Sequence, residues 1–439
     1  MDNIEHKPVY KAISLFSGAM GLDIGLEQTG RFEFLACCEK DEACLETIRL
    51  NKKKSNLRSK NIKIYEDIMA ISPSEVLDDL CLASGEVDVI IGGPPCQSFS
   101  TVGRRGTIQD PRGSLIWEYL RFVKEIRPKF FLMENVRGLL SAAIKHRPLA
   151  KRGKGNPPIE PEEKQGSVVK LFLSDFEKEG YRVDAFEVNA VNYGAPQLRE
   201  RVLFIGNNYS LSLHFPEPTH VPQEEYSKYR KHKFFFQEGN DLKPFRTLGD
   251  AIKDLREDSP QVADFSPRKK KYLSLIPPGG NWRTLPVELQ KESLGRAYLA
   301  KGGRSGWWRR LSYDLPCPCL LTAPNHAGTS LCHPEEIRAL SVKEYARIQE
   351  FPDTWEFVGK IGDLYRQIGN AVPVRLGVIS GEVIASYLDR VMTNELNYPR
   401  FSPGSKITPS RIIYLRSHIR TRRWYENGEA VINGKSYYA

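Results

Sequence analysis

Few residues in this chain combine a reactive side chain with an unusual setting. The string Gly92-Gly93-Pro94-Pro95-Cys96-Gln97-Ser98-Phe99-Ser100 puts a cysteine directly after two prolines. Proline fixes φ, so that thiol sits on a stiff turn, a placement suited to a nucleophile. A free thiol ionises near pH 8.5, so a nucleophilic role needs nearby positive charge or a proton acceptor. Glu134 ends an apolar run at Glu134-Asn135-Val136-Arg137-Gly138, where a carboxyl group could act as a general acid towards a bound ring. Arg199 and Arg201 occupy alternate positions of Gln197-Leu198-Arg199-Glu200-Arg201, and in an extended segment both face one way. Two roles are open to them, contact with a substrate or structural ion pairing. Near the start, Leu15-Phe16-Ser17-Gly18-Ala19-Met20-Gly21-Leu22 has the small residues that let a backbone approach a nucleoside cofactor, without the full GxGxxG pattern. Glu39 could accept hydrogen bonds from ribose hydroxyls, or be a plain carboxylate at a strand end.

These residues need a scaffold that brings them to one place. Short apolar runs at 12–16, 34–38, 62–65, 87–91, 130–133, 181–188 and 201–206 read as strands. Helical stretches are expected at 22–27, 41–50, 114–126 and 168–179. Strands alternating with helices predict an α/β fold with a doubly wound sheet. Gly18, Glu39, Asp67, Pro95-Cys96 and Glu134-Asn135 all fall just after predicted strand ends, the edge at which open α/β sheets bind ligands. After Gly206 the alternation stops, and residues 207–330 are rich in Pro, Gly, Lys and aromatics, so a second domain is expected there. Residues 146–165 read as an inserted basic loop, 342–350 as helix, and 372–388 as an apolar segment. The order of the chain beyond Asn394 is left open.

Composition narrows the classes. Of 439 residues, 40% are hydrophobic and 27% charged, which excludes a disordered chain. No apolar run approaches the ~18 residues of a membrane span, and no secretory leader is read at the N-terminus. Eight cysteines without a CxxC pair support neither a disulfide scaffold nor a zinc site, so no metal is expected. Seven of them are expected to be ordinary buried residues, and the compartment a reducing, intracellular one. The net charge is 64 − 54 = +10. Residues 220–310 carry 19 − 11 = +8 and residues 390–439 carry 9 − 3 = +6, leaving the rest near −4. A basic segment with interleaved aromatics, such as Gly302–Arg310, suits a nucleic-acid backbone or is simply a solvated surface.

Six strings in order, LFSGAMGLDIGLE, GGPPCQSFS, ENVRGL, QLRERVLFIG, RALSVKEYARIQEFPD and YRQIGNAVPV, resemble the bacterial DNA (cytosine-5) methyltransferases over residues 13–380. Two departures stand out: Ala19-Met20 replaces a more usual small-residue pair, and Cys317-Pro318-Cys319 lies where the family often has Ser-Pro-Thr. Neither touches the nucleophile. The resemblance implies a Rossmann-like, S-adenosylmethionine-dependent methyltransferase domain with a smaller inserted target-recognition domain. The expected divisions are 1–206 for the catalytic domain, 207–355 for target recognition, 356–392 for a segment returning to the catalytic domain, and 393–439 for a basic extension.

Residue by residue, it implies that Cys96 adds to carbon 6 of cytosine, Glu134 meets ring nitrogen 3, and Arg201 contacts the carbonyl oxygen with Arg199 supporting it. Phe16, Gly18, Gly21, Leu22, Glu39, Asp67, Ile68, Gly93, Pro95, Leu115, Asn370 and Val372 would surround S-adenosylmethionine. Gln97, Ser100, Arg104 and Arg105 would touch DNA from a closing loop. The implied partner is double-stranded DNA, with a restriction endonuclease as a genetic partner, no membrane, a monomeric state, and a bacterial cytoplasmic, nucleoid-associated location. Two other readings are kept: an RNA (tRNA) cytosine-5 methyltransferase, against which no Cys-Phe-Thr string occurs, and a DNA-binding relative without catalysis.

Overall fold

The computed structural model describes residues 7–95, 115–145, 147–148, 151–153, 155–231, 242–299, 306–326, 328–394 and 397–414, with short strands closer to the C-terminus. Its strands are β1 (Tyr10–Leu15), β2 (Phe32–Cys38), β3 (Lys63–Tyr65), β4 (Val89–Gly92), β5 (Phe130–Val136), β6 (Arg182–Asn189), β7 (Glu200–Asn207), β8 (His220–Val221), β9 (Lys243–Pro244) and β10 (Arg411–Tyr414). Eight of these form one sheet in the order β10-β6-β7-β5-β4-β1-β2-β3. All neighbours are parallel except β7, which runs antiparallel to both β5 and β6. The helices are α1 (Gly21–Gln28), α2 (Glu42–Lys53), α3 (Pro73–Asp79), α4 (Leu115–Ile126), α5 (Ser167–Lys178), α6 (Gln223–Lys231), α7 (Leu248–Ile252), α8 (Pro267–Leu273), α9 (Val287–Leu294), α10 (Val342–Ile348), α11 (Ile361–Asn370) and α12 (Val374–Thr393).

The sheet has a packed layer on each face, so its central strands read as continuous apolar runs. Successive residues alternate between two cores. Phe130, Leu132, Leu203 and Ile205 face a cluster that includes α1, α10, α11 and α12. Phe131, Met133, Val202 and Phe204 face another that includes α3, α4 and α5. The expected strands and first-half helices are present, each within a few residues of its predicted bounds, while α3, α6, α7, α8, α9 and α11 are additions to the expected helices.

Residues after 355 pack against the elements of the first half of the chain. A Cβ on Gly25 would lie 2.3 Å from the Val374 carbonyl oxygen, and one on Gly377 would lie 2.4 Å from that of Leu22. Helices α1 and α12 therefore cross backbone to backbone. The stretch Ile361–Thr393 is long and apolar enough to cross a membrane, contrary to the expectation that no run is. It is made of α11 and α12 with Pro373 between them, and its most apolar window is mostly buried inside the protein, as core helices are.

A third apolar cluster is built from Phe265, Tyr272, Leu273, Ile276, Trp282, Leu285, Leu294, Trp308, Cys332 and Ala339. Tyr209, Leu213, Phe215, Leu248 and Ile252 before it, and Leu340, Val342 and Tyr345 after it, pack in the main core instead. The segment 207–355 is thus shared between two cores.

The tail adds structure that the sequence left open. Strand β10 pairs with β6, and Arg411 Nε lies 2.8 Å from the buried Asp184 Oδ1. Ser410 Oγ accepts from Val183 N at 3.1 Å, and Arg400 donates to the carbonyls of Gly85 and Arg127. In the described part of the inserted loop Arg147 pairs with Glu163, so that guanidinium is not free positive charge. The cysteines are not uniformly buried: Cys81 and Cys319 are exposed. Cys81 sits at φ 54°, just beyond the end of α3, where a chain reversal holds it at the surface.

Candidate active site

Strands β1, β2, β3, β4 and β5 are parallel, so their C-termini share one edge, and the antiparallel β7 brings its N-terminus to the same place. Val136 pairs with Arg201 across β5 and β7, which makes Glu134 and Arg201 diagonal neighbours on one face. Arg201 Nε lies 2.7 Å from Glu134 Oε1. Burial pushes the Glu134 carboxyl pKa upward, and this outweighs the opposing pull of the Arg201 and Arg199 guanidiniums. Glu134 therefore holds a proton to higher pH than an ordinary carboxylate, as a general acid must.

The Pro-Pro turn is fixed beside this pair. A Cβ on Gly93 would meet Glu134 Oε2 at 3.3 Å, so glycine lets the chain leave β4 against the carboxyl group. Asn135 Nδ2 donates to the Pro94 carbonyl oxygen at 3.0 Å. Pro94 is buried and Pro95 exposed. Cys96, Gln97, Ser100, Arg104 and Arg105 lie outside the described residues.

Arg199 and Arg201 face the same carboxyl group but do different work. Arg199 is buried, and its guanidinium donates to the carbonyls of Gly369 and Ala371, both at 2.8 Å, and of Leu320 at 3.3 Å. Burial, with Arg201 beside it, pulls its pKa down to about 10. Gln349 Nε2 binds the carbonyls of Ile368 at 2.6 Å and Ala371 at 3.0 Å, and Gln197 Nε2 meets Gln349 Oε1 at 2.6 Å. Arg199 and Gln349 together hold the backbone on either side of the exposed Asn370. Neither glutamine was picked out as a site residue; both stand inside the recognisable strings, and their role shows only when α10 and α11 meet the turn before β7.

The other end of the edge is a small-residue turn with unusual backbone. Phe16, Gly18 and Met20 have φ of 55°, 53° and 65°, the left-handed region. That is costly for Phe16 and Met20, and such strain collects at functional sites. A Cβ on Gly18 would meet nothing within 4 Å, so this turn borders open space. Gly21 has a different reason: a Cβ there would lie 2.3 Å from the Val372 carbonyl oxygen, so it admits the returning segment. Leu22 is buried in the core. Glu39 Oε2 accepts from Gly18 N at 2.7 Å, and Oε1 from Lys40 N and Asp41 N at 2.9 and 2.8 Å, which ties the carboxylate to the turn. Asp67 accepts from Met69 N and pairs with Lys40 at 2.7 Å, a contact absent from the sequence reading. Ile68 and Val372 are buried and Leu115 partly so.

This set suits the methyl donor. Glu39 and Asp67 present carboxylate oxygens of the kind that sugar hydroxyls and an adenine amine donate to, Ile68 and Leu115 present apolar surface, and open space lies at Gly18. Among the described residues no group of three or more His, Cys, Asp or Glu is arranged to hold a metal ion.

Residues 10–386 match the family described as C-5 cytosine-specific DNA methylase. The type II methyltransferase M.Sau96I of Staphylococcus aureus is 35% identical over 89% of this chain and 79% of its own length. M.PspPI of Psychrobacter and M.Eco47II of Escherichia coli are each 35% identical, over 88% and 87% of this chain and 81% and 80% of theirs. Among solved structures, an E. coli prophage-encoded DNA modification methyltransferase aligns over 88% of this chain and 100% of its own, with TM-score 0.53 and 22% identity. A Spodoptera frugiperda DNMT2 variant aligns over 87% of this chain and 99% of its own, with TM-score 0.52 and 15% identity, and shares the fold. The chain belongs to the C-5 cytosine-specific DNA methylase family: it is a DNA cytosine-5 methyltransferase whose methyl donor is S-adenosyl-L-methionine.

Proposed function

We propose that the chain methylates one cytosine within a specific sequence of double-stranded DNA, through a covalent adduct on Cys96. The Glu134–Arg201 pair beside the Gly93-Pro94-Pro95 turn carries this reading, because Cys96 follows Pro95 directly. S-adenosyl-L-methionine, held by Phe16, Gly18, Gly21, Leu22, Glu39, Asp67, Ile68, Gly93, Pro95, Leu115, Asn370 and Val372, supplies an electrophilic methyl group. The Cys96 thiolate adds to carbon 6 of the ring. Glu134 donates its proton, or a hydrogen bond, to ring nitrogen 3, so the electrons gained from sulfur collect as an enamine at carbon 5. Arg201 binds the ring carbonyl oxygen and Arg199 holds the neighbouring backbone. Methyl transfer to carbon 5 leaves the donor's sulfonium as a neutral thioether, and loss of the carbon-5 proton to a base, expulsion of the Cys96 thiolate and return of the nitrogen-3 proton to Glu134 restore the aromatic ring.

Carbon 6 is inaccessible in a stacked duplex, so the base is flipped out at a cost of a few kcal/mol. Gln97, Ser100, Arg104 and Arg105 close on the DNA, and the unit built on the 265–339 core reads sequence from the major groove. We place the enzyme in the bacterial cytoplasm on nucleoid DNA, as a monomer that protects host DNA from a restriction endonuclease. The type II names of its relatives support that role.

Labelled methyl transfer to duplex DNA and to tRNA tests this reading, with Cys96→Ala as a control. Label in DNA that is abolished by Cys96→Ala is expected. Label in tRNA alone would favour an RNA enzyme, and turnover by Cys96→Ala would remove the nucleophile. Bisulfite sequencing of DNA from expressing cells gives the recognised site.

A further inference from the structure

Lys269 stands on α8 with 6% of its surface exposed. Its ammonium donates to three backbone carbonyls, of Asn325 at 2.9 Å, His326 at 2.6 Å and Thr329 at 3.3 Å. Burying an ammonium costs several kcal/mol unless its protons are all bound, and here three converging acceptors take them. The three carbonyls belong to one turn. Pro324 is buried, Asn325 and His326 are exposed, and Leu331 N closes back on the Pro324 carbonyl at 3.3 Å.

The same segment begins at the catalytic edge. Arg199 Nη1 donates to the Leu320 carbonyl at 3.3 Å, and the missing Cβ of Gly369 leaves room for Leu321 O, which it would otherwise meet at 2.5 Å. Asn325 is five residues beyond Leu320, a reach of at most about 17 Å. That is about five base-pair steps of ~3.4 Å each. Asn325 Nδ2 donates to the Asp264 carbonyl at 3.4 Å and His326 Nδ1 accepts from Gly328 N at 3.2 Å, which orients both exposed side chains on the turn a short span beyond Leu320, and such side chains read base edges.

We propose that Lys269 is a positioning residue for sequence readout: its ammonium sets the 324–329 turn so that Asn325 and His326 meet base pairs flanking the target cytosine. This rests on the reading that the 265–339 unit faces DNA. Apolar packing could hold a turn, but three carbonyls converging on one point need a cation or several donors, and Lys269 supplies them from outside the turn.

The test compares kcat/KM on a duplex bearing the site found by bisulfite sequencing with duplexes changed at single flanking base pairs. Lys269→Met keeps the stem and removes the ammonium. We expect its discrimination ratio to fall at least tenfold, with the loss in KM for DNA rather than in kcat, while calorimetry shows unchanged S-adenosyl-L-methionine affinity. A ratio within twofold of the parent overturns the proposal. Should Lys269→Met fail to bind S-adenosyl-L-methionine, Lys269→Arg takes its place, because the larger guanidinium must splay the carbonyls. A ratio at least threefold lower then supports the proposal, and an unchanged one overturns it. Asn325→Ala with His326→Ala separates the two layers. If that pair leaves discrimination intact, the turn does not read DNA and the underlying reading fails. If the pair destroys discrimination while the Lys269 variant preserves it, the role of Lys269 alone fails.

Discussion

The catalytic edge and the 265–339 unit use the same residue types for opposite purposes. At the edge a regular sheet satisfies the backbone, so Glu134 and Arg201 can be aimed at one another. The 265–339 unit contains no paired strand longer than an isolated bridge among its described residues, so many of its carbonyls need other partners. Arginines and lysines supply them. Arg310 donates to Ile276, Pro334 and Glu335 carbonyls, Arg268 to Ser293, and Lys269 to its turn. Trp308, in the segment that looked most like a phosphate-binding surface, is 3% exposed and packs in the core. Part of the +8 charge of residues 220–310 therefore acts as backbone scaffolding rather than as a face for DNA.

The sharpest way to break this contrast starts at the edge. Glu134→Gln keeps the shape and removes the proton, and should lower kcat about 10²–10⁴-fold with S-adenosyl-L-methionine affinity retained, measured by single-turnover methylation and calorimetry. Next comes the paired comparison of arginines. Arg201→Met should cost at least tenfold in kcat and shift Tm little, whereas Arg310→Met should lower Tm by several degrees and leave kcat on DNA within threefold. Equal effects of the two on both readouts would erase the distinction between the regions. Gly377→Ala then probes what holds the returning segment. Its Cβ would press on the Leu22 carbonyl, and a loss of about 1–3 kcal/mol in unfolding free energy is expected, read by urea denaturation.

The smallest expected effect concerns Asp23, buried under the small-residue turn, whose pKa burial raises to about 7. The folded state then binds this proton more tightly than the unfolded chain. The group's contribution is full below about pH 4 and is lost as pH rises through about 7. Asp23→Asn should accordingly raise Tm by a few degrees at pH 8 and converge with the parent towards pH 4.

Much of the edge was legible because each feature is local. A cysteine after two prolines, a carboxyl at the end of an apolar run, and small residues after a first strand each leave a mark within a few positions. Their meeting at one edge followed from the alternating pattern, and the match of Val136 with Arg201 agrees with it. Contacts between distant segments left no such mark. Arg199 could be placed on the face of Arg201, but its bonds to Gly369 and Ala371 depend on where α11 ends. The antiparallel course of β7 rests on a short connection, Ala190–Arg199, that does not leave room for a crossover helix. β10 is four residues long and is fixed by Arg411 finding Asp184, a pairing 227 positions apart. In the 265–339 unit the apolar pattern was visible, but nothing in a run of arginines and lysines tells which of them will meet carbonyls.

The central claim is that Cys96 attacks carbon 6 while Glu134 protonates the ring. A duplex carrying 5-fluorocytosine at the target position tests it most directly, because fluorine at carbon 5 cannot leave as a proton does and the adduct should persist. With S-adenosyl-L-methionine present, a stable protein–DNA complex is predicted, whose crosslinked peptide maps by mass spectrometry to Cys96. Normal methylation of ordinary duplexes with no trapped complex, or a crosslink on any other residue, would contradict the account.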